Sequence, residues 1–285
     1  MFFARMVETG IVEFPRDDVE ARIRLVLELL PEIGRSLASF QDEVHIENSR
    51  SQSMDRTLME KSDRFVEDTL LPALRDEFGE DPINSEEQGR IDGESDFDWW
   101  IDPVDGTRNF IHGNPLYCMS VGLCFRGSPC AGVVHVPAFG ETYHAVAGQG
   151  AFKNGTPIVV SRVDSVERGL TSAGLPFRRK EFLNDLIADL SAFAATGTGL
   201  RRTGSTVLDL CWIAEGRSDA LWDRALTPYD TCAASVILLE AGGRISNLEG
   251  DIFSFEVPEA VVSNGVLHDQ VLEVIQKARR VEGMN

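Results

Sequence analysis

Asp102-Pro103-Val104-Asp105-Gly106-Thr107 is the segment of this sequence best suited to chemistry. Two carboxylates stand three residues apart, split by a proline whose fixed φ helps turn both side chains toward one point. Gly106 permits a tight backbone turn, and Thr107 adds a hydroxyl. If a helix starts here, its first N–H groups are free to hold an anion such as phosphate. Carboxylate oxygens are hard ligands, and hard ligands beside a phosphate cradle are what Mg²⁺-dependent phosphoryl chemistry needs. Asp-Pro and Asp-Gly also occur in ordinary polar turns, so the surrounding elements decide how the segment reads.

The apolar run Trp99-Trp100-Ile101 before it reads as a buried strand ending at the first carboxylate. Upstream, Asp17 is a candidate cap for a helix whose apolar positions Val19, Ile23, Val26, Leu27, Leu30 and Ile33 recur at helical spacing, with Pro31 as a kink. Residues 41–61 are polar without a clear period and read as a loop or frayed hairpin. A second helix fits 63–78, with Phe65, Val66, Leu70, Ala73, Leu74 and Phe78 inward and Pro72 as a blemish. Strands fit 119–125 and 131–136 around a turn at Arg126-Gly127-Ser128-Pro129, then 141–152 and 157–160 around the hairpin signal Asn154-Gly155. The last third alternates, with helices at 181–195, 205–215, 229–241 and 267–278 and strands at 220–222, 244–246 and 261–262. The sum is a layered α/β architecture with mixed sheets.

A chain of 285 residues with 43% hydrophobic residues has enough to bury a substantial core. Its net charge of −19 disfavours a general nucleic-acid binder. No stretch approaches the ~20 apolar residues of a membrane span, and the first residues do not read as a secretory leader. Five cysteines without a C-x-x-C pair read as small buried residues of a cytoplasmic protein. His112, His135 and His144 read as structural, Trp99, Trp100 and Trp222 as core, and Arg178-Arg179-Lys180 as a solvated face.

The stretch Asp102-Pro103-Val104-Asp105-Gly106-Thr107-Arg108-Asn109-Phe110 resembles the signature of the inositol monophosphatase family. A second family signature reads Trp-Asp followed by a helix ending in Glu-Ala-Gly-Gly. Trp222-Asp223 supplies the dipeptide, but Asp230 has the right distance to Glu240-Ala241-Gly242-Gly243, so the metal ligand is assigned to Asp230. Ser85-Glu86-Glu87 resembles the family's Gly-Glu-Glu, and Asp63 stands at the family's spacing before it, at the opening of the second helix. Arg201-Arg202-Thr203-Gly204-Ser205-Thr206 resembles Arg-x-x-Gly-Ser-Ala, where a helix start faces the substrate.

The resemblance implies an αβαβα sandwich of the inositol monophosphatase and fructose-1,6-bisphosphatase type, with a short tail at 1–15 and one domain over 16–285. Within it, a metal-binding half runs to about residue 160. It implies a lithium-sensitive homodimer that hydrolyses a small phosphorylated metabolite with two or three Mg²⁺ ions. Glu86, Asp102 and the Val104 carbonyl hold the first ion, Asp102, Asp105 and Asp230 the second, and a third leans on Glu86. Glu86 and a Thr107–Asp63 pair activate the attacking water. Backbone N–H groups of Gly106 and Thr107 hold phosphate oxygens, and Asp105, Gly204, Ser205, Thr206, Asp223 and Asp230 face the substrate. Four departures from the family pattern stand out: Tyr229 for Trp, Asp223 for Glu, Gln52 for Lys, and Met59-Glu60 for Val-Thr. Myo-inositol monophosphate is the expected substrate, with histidinol phosphate and fructose 1,6-bisphosphate as alternatives. A non-catalytic regulator on the same fold is the alternative of a different class.

Overall fold

The computed structural model describes residues 14–50, 56–175 and 179–282. The tail at 1–13, Gln52 and Arg178 lie outside them. Helix α1 (Arg16–Arg50) runs for 35 residues, and α2 starts at Arg56 and runs to Glu77. Residues 41–50 are therefore helical, not a loop or hairpin. Leu37 and Val44 continue the buried stripe of Val19, Ile23, Val26, Leu30 and Ile33. Those two contacts are too sparse to read as a period in sequence. They suffice to dock the helix because Gln41 also donates its amide to the carbonyls of Phe110 and Asn114, each at 3.1 Å. Likewise Leu58, fully buried, draws α2 back toward Arg56, so Asp63 lies inside the helix and does not open it. Pro31 and Pro72 sit within α1 and α2 without ending them; each forfeits one helical hydrogen bond.

Eight strands form the first sheet: β1 (Ile83–Ser85), β2 (Gly89–Ile91), β3 (Phe97–Asp105), β4 (Cys118–Phe125), β5 (Ser128–Val136), β6 (Glu141–Val146), β7 (Ala151–Lys153) and β8 (Thr156–Ile158), in the order β2-β1-β3-β4-β5-β6-β7-β8. All neighbours are antiparallel except β1 and β3. The β4–β5 and β7–β8 turns use Arg126-Gly127 and Asn154-Gly155, all at positive φ, as two-residue hairpins of a right-twisted sheet require. A five-helical-residue segment, α3 (Thr107–Ile111), follows β3 directly.

The second sheet has the order β10-β9-β11-β13-β12, from β9 (Leu170–Ala173), β10 (Gly199–Arg201), β11 (Ala220–Asp223), β12 (Arg244–Ser246) and β13 (Ala260–Ser263). Between the sheets lie α5 (Thr206–Ala214) and α6 (Pro228–Glu240); α4 (Leu183–Thr196) and α7 (His268–Glu282) pack together against the second sheet. Helices α1 and α2 pack on the first sheet, which completes an αβαβα sandwich. Three apolar clusters fill the layers. Trp99 and Trp222 are fully buried in them, Trp222 stacked on Phe193, while Trp100 is half-buried. The short strands β1, β2, β9 and β10 carry too few residues for an alternation to show in sequence.

Candidate metal centre

Residues three apart on a regular strand point to opposite faces. Asp102 and Asp105 escape that rule because β3 bulges between them: Asp102 pairs with Ser120 and Asp105 with Cys118, so three steps on β3 face two on β4. Pro103 fits such a bulge because it has no N–H to lose. The carboxylate of Asp102 accepts the Val104 N–H at 3.0 Å, which closes the turn. Gly106 follows at φ 90°, where a Cβ would come within 2.9 Å of the Leu116 carbonyl oxygen. The chain then enters α3, whose first amides have no earlier turn to donate to.

Asp230 arrives from a helix end. It sits in the first turn of α6, where one carboxylate oxygen accepts both the N–H and the hydroxyl of Thr227, each at 2.7 Å. This reciprocal cap fixes the rotamer and leaves the other oxygen uncommitted. Helix α6 can approach because Gly122 and Gly132, paired across β4 and β5, present bare backbone to it. A Cβ on either would meet Cys232 or Ala233 at 2.5 Å. Oxygens of Asp102, Asp105 and Asp230 consequently lie within 4.8 Å of one another.

Glu86 is set beside them by strand register. Ser85 pairs with Ile101 in the parallel ladder, and the Glu86 N–H donates to the Ile101 carbonyl at 3.1 Å, which places it next to Asp102. Asp63 faces the same acidic region from α2. Burial, then the charges of Glu87 and Glu86, push its carboxyl up to about 8. Burial, with Glu86 and Asp105 next, pushes Asp102 well above the ordinary carboxylate range, and burial followed by Asp105 does the same to Asp230. Asp105 is raised by burial as well, but hydrogen bonds from Ser205 and Val207 pull it back. Among the described residues no lysine or arginine pairs with Asp102, Asp105 or Asp230. Three clustered carboxylates without a countercharge need protons or a cation, and an all-oxygen set suits Mg²⁺.

The structure places other expected site residues differently. The Thr107 hydroxyl donates to the Val104 carbonyl at 3.1 Å, not to Asp63, because that strand-end oxygen lies one turn back in the same chain. Ser205 is fully buried and does not face a substrate. It caps α5 by accepting the Leu208 N–H and donates to Asp105 at 2.5 Å, while the Val207 N–H reaches the same carboxylate at 2.8 Å. The N-terminus of α5 thus serves Asp105. Gly204, at φ 92°, packs on the Asn109 amide, and the Thr206 hydroxyl reaches Asp223 at 3.3 Å. Asp223 ends β11 outside the three-carboxylate group and accepts the Ala225 N–H at 2.9 Å. The five cysteines are buried and unpaired. His135 is buried, His144 half-buried and His112 exposed.

Several supporting residues escaped the sequence reading. Asn109 donates to the carbonyls of Leu116 and Thr203 and so ties the first motif to the third. Asp209, raised to about 7 by burial, accepts the hydroxyls of Thr203 and Ser172. Thr227 was legible, since Thr-x-x-acid before an apolar helix is a capping signature; Asn109 stands in the first signature but its supporting role has no local signal, and Asp209 carries none at all.

Comparison with known proteins gives the family. Residues 18–280 match the model of the inositol monophosphatase family. A chloroplastic phosphatase of Arabidopsis thaliana, IMPL1, is 37% identical over 78% of this chain, which spans 62% of that protein's length. An inositol-1-monophosphatase of Synechocystis is 30% identical over 92% of this chain and 91% of its own. The Nus factor SuhB of Pseudomonas aeruginosa is 35% identical over 75% of this chain and 81% of its own. The crystal structure of the extragenic suppressor protein suhB from Bartonella henselae superposes with a TM-score of 0.82 at 27% identity, covering 90% of this chain and 99% of that one. A bulged strand and a capped helix end that bring three acids together, with a family match over nearly the whole length, make this chain a member of the inositol monophosphatase family and a phosphoric monoester hydrolase.

Proposed function

We propose that the chain hydrolyses a small phosphate monoester, myo-inositol monophosphate foremost, with two or three Mg²⁺ ions. The observation that carries this reading is the cluster of Asp102, Asp105 and Asp230, with which no lysine or arginine pairs among the described residues. Asp102, Asp105 and Asp230 are the residues to hold one ion; Glu86, Asp102 and the Val104 carbonyl are those to hold another, with a third leaning on Glu86. When bound, Mg²⁺ lowers the pKa of a coordinated water and offsets charge on the phosphoryl group.

The chain's own groups do the rest. Amides of Gly106 and Thr107 open α3 and hold phosphate oxygens there. Glu86 and Asp63 orient the attacking water and take its proton. Thr107, whose hydroxyl engages the Val104 carbonyl, steadies the strand end they act upon. Asp223, Gly204 and Thr206 line the side on which the alcohol part of the substrate sits. Tyr229 packs on Trp100 with ring centroids 5.4 Å apart and borders that side. Unpaired cysteines suit a reducing compartment such as the cytoplasm, and a lithium-sensitive homodimer is the expected form.

A regulatory role without catalysis is the competing reading, given that one relative is called a Nus factor. A complete acidic set and a net charge of −19 favour the enzyme and disfavour direct RNA contact. The deciding experiment is phosphate release from inositol monophosphate, histidinol phosphate, fructose 1,6-bisphosphate and adenosine bisphosphate, with Mg²⁺ and with excess EDTA. Turnover of inositol monophosphate that stops on chelation supports the proposal. Preference for another ester corrects the substrate, and full turnover in EDTA removes the metal mechanism.

A further inference from the structure

Glu67 belongs to none of the motifs that mark the site, yet its side chain is completely buried. It lies one helical turn beyond Asp63 on α2 and points at the segment carrying Glu86. One carboxylate oxygen accepts two hydrogen bonds there: the hydroxyl of Ser85 and, at 3.2 Å, the N–H of Gln88. Ser85 is the last residue of β1, and Gln88 precedes Gly89, which turns at φ 78° into β2. The two donors therefore flank Glu86-Glu87 on either side, and a single carboxylate spans the turn that presents them. The other oxygen of Glu67 is buried with no hydrogen-bond partner among the described residues. Keeping a desolvated carboxylate with one orphan oxygen is costly, so stability of the helix does not account for it.

A reason follows from charge. Glu86 and Glu87 face Asp63, and Glu86 also faces Asp102, Asp105 and Asp230. Like charges at this density push the turn outward. The Glu86 N–H bond to Ile101 holds its backbone to β3 on one side. On the far side the turn closes through Gly89, which pairs with Ser85 across the short β1–β2 hairpin, and Glu67 adds a side-chain tie from α2 to that backbone ladder. We propose that Glu67 is the positioning residue that clamps the Ser85–Gln88 turn to α2 and so holds Glu86 in place as a cation ligand. It acts through Ser85 and Gln88 and does not itself touch the ion. This rests on the assignment of Glu86 as a ligand made above.

Calorimetric titration of the full chain with Mg²⁺ tests the clamp without turnover. Glu67→Leu, which keeps bulk but accepts nothing, should weaken binding about 10–100-fold, the range seen when a group that orients a ligand is removed. Glu67→Gln, which keeps an accepting oxygen, should recover most of that loss. Ser85→Ala should weaken binding less than Glu67→Leu, and adding it to Glu67→Leu should cost little more. Exchange of the Gln88 amide hydrogen should quicken in Glu67→Leu. Wild-type Mg²⁺ affinity in Glu67→Leu, beside lost affinity in Glu86→Gln, overturns the clamp and leaves the ligand assignment standing. Undiminished affinity in Glu86→Gln overturns both. If Glu67→Leu does not fold, Ser85→Ala decides alone: wild-type affinity and unchanged Gln88 exchange overturn the proposal.

Discussion

Asp223 and Asp230 differ in what holds them, and that difference separates their roles. Asp230 gives one oxygen to the Thr227 cap and turns toward Asp102 and Asp105. Asp223 leans on the Ala225 amide and the Thr206 hydroxyl, on the side proposed for the substrate, where a Cβ on Gly174 would overlap it at 1.9 Å. Asp230→Asn should weaken Mg²⁺ activation for every substrate alike. Asp223→Asn should raise KM for a polyol phosphate while sparing p-nitrophenyl phosphate. Loss of one hydrogen bond to a charged partner costs about 1.5–3 kcal/mol, or roughly 10–150-fold. A Mg²⁺ titration of both variants on both esters reads this out, and the reverse pattern exchanges the two assignments. Among the described residues Asp63 has no such anchor; its tie to the site is electrostatic, and burial lifts it to about 8. Asp63→Asn should lower kcat by about 10²–10⁴-fold with Mg²⁺ affinity retained, as removal of a proton acceptor does. Near-normal kcat takes Asp63 out of the reaction.

At the scale of elements, the site depends on how closely α6 lies on the first sheet. Gly122 and Gly132 sit opposite each other on β4 and β5 and touch the backbone around Cys232 and Ala233. A methyl at either position has nowhere to go, so α6 must shift and carry Asp230 with it. Gly132→Ala should cost about 1–3 kcal/mol of stability, the usual price of overpacking, and should weaken Mg²⁺ binding at a site it does not touch. Normal Mg²⁺ affinity in a destabilised Gly132→Ala protein would show that the sheet absorbs the strain instead. The segment between β11 and α6 is held from the other side. Arg224, 4% exposed, pairs with Asp189 of α4 at 2.5 Å. Arg224→Met leaves Asp189 buried without its partner, and breaking such a pair costs about 3–5 kcal/mol. Chemical denaturation measures it; a loss under 1 kcal/mol, roughly the worth of an exposed pair, would mean that water reaches Asp189.

At the scale of the whole molecule, two buried imidazoles in different layers contribute to the response to acid. His135 binds Thr142 at 2.8 Å against α1, and His268 lies between the hydroxyls of Ser246 and Ser263 at 2.8 and 2.9 Å. Burial holds both down to about 4 from an ordinary 6.5. The folded chain keeps them neutral where the unfolded chain is already protonated. Their stabilising share is complete above about 6.5 and is lost as pH falls toward 4. Each adds up to about 1.4 kcal/mol per pH unit in that window. The raised carboxylates of the acidic cluster act in the opposite sense over the same range, so the test is a difference: on going from pH 6.5 to 4, Tm of His268→Asn should fall less, or rise more, than Tm of wild type. An unchanged slope would place the acid sensitivity elsewhere.

What the sequence determines by itself is whatever neighbouring residues settle among themselves. The bulge motif from Asp102 to Thr107 is contiguous, so its chemistry is readable, and the distance to Glu240-Ala241-Gly242-Gly243 points to Asp230 ahead of Asp223 through the family resemblance. The hairpins at Arg126-Gly127 and Asn154-Gly155 are local in the same sense. Longer reach defeats such reading. Ser205 belongs to a motif that suggests substrate contact, yet its hydroxyl is taken by Asp105, a hundred positions away. Residues 41–50 look like loop because only Val44 marks their buried face, and the partner that helps dock them, α3 with the segment after it, is remote in the chain. Glu67 is the clearest case. On an amphipathic helix a glutamate normally marks the solvent side, and only the docking of β1 against α2 turns this one into a buried acceptor. Periodicity and spacing report a residue's own element; which polar group meets which across layers is decided by packing, where every buried donor and acceptor must find its match at once.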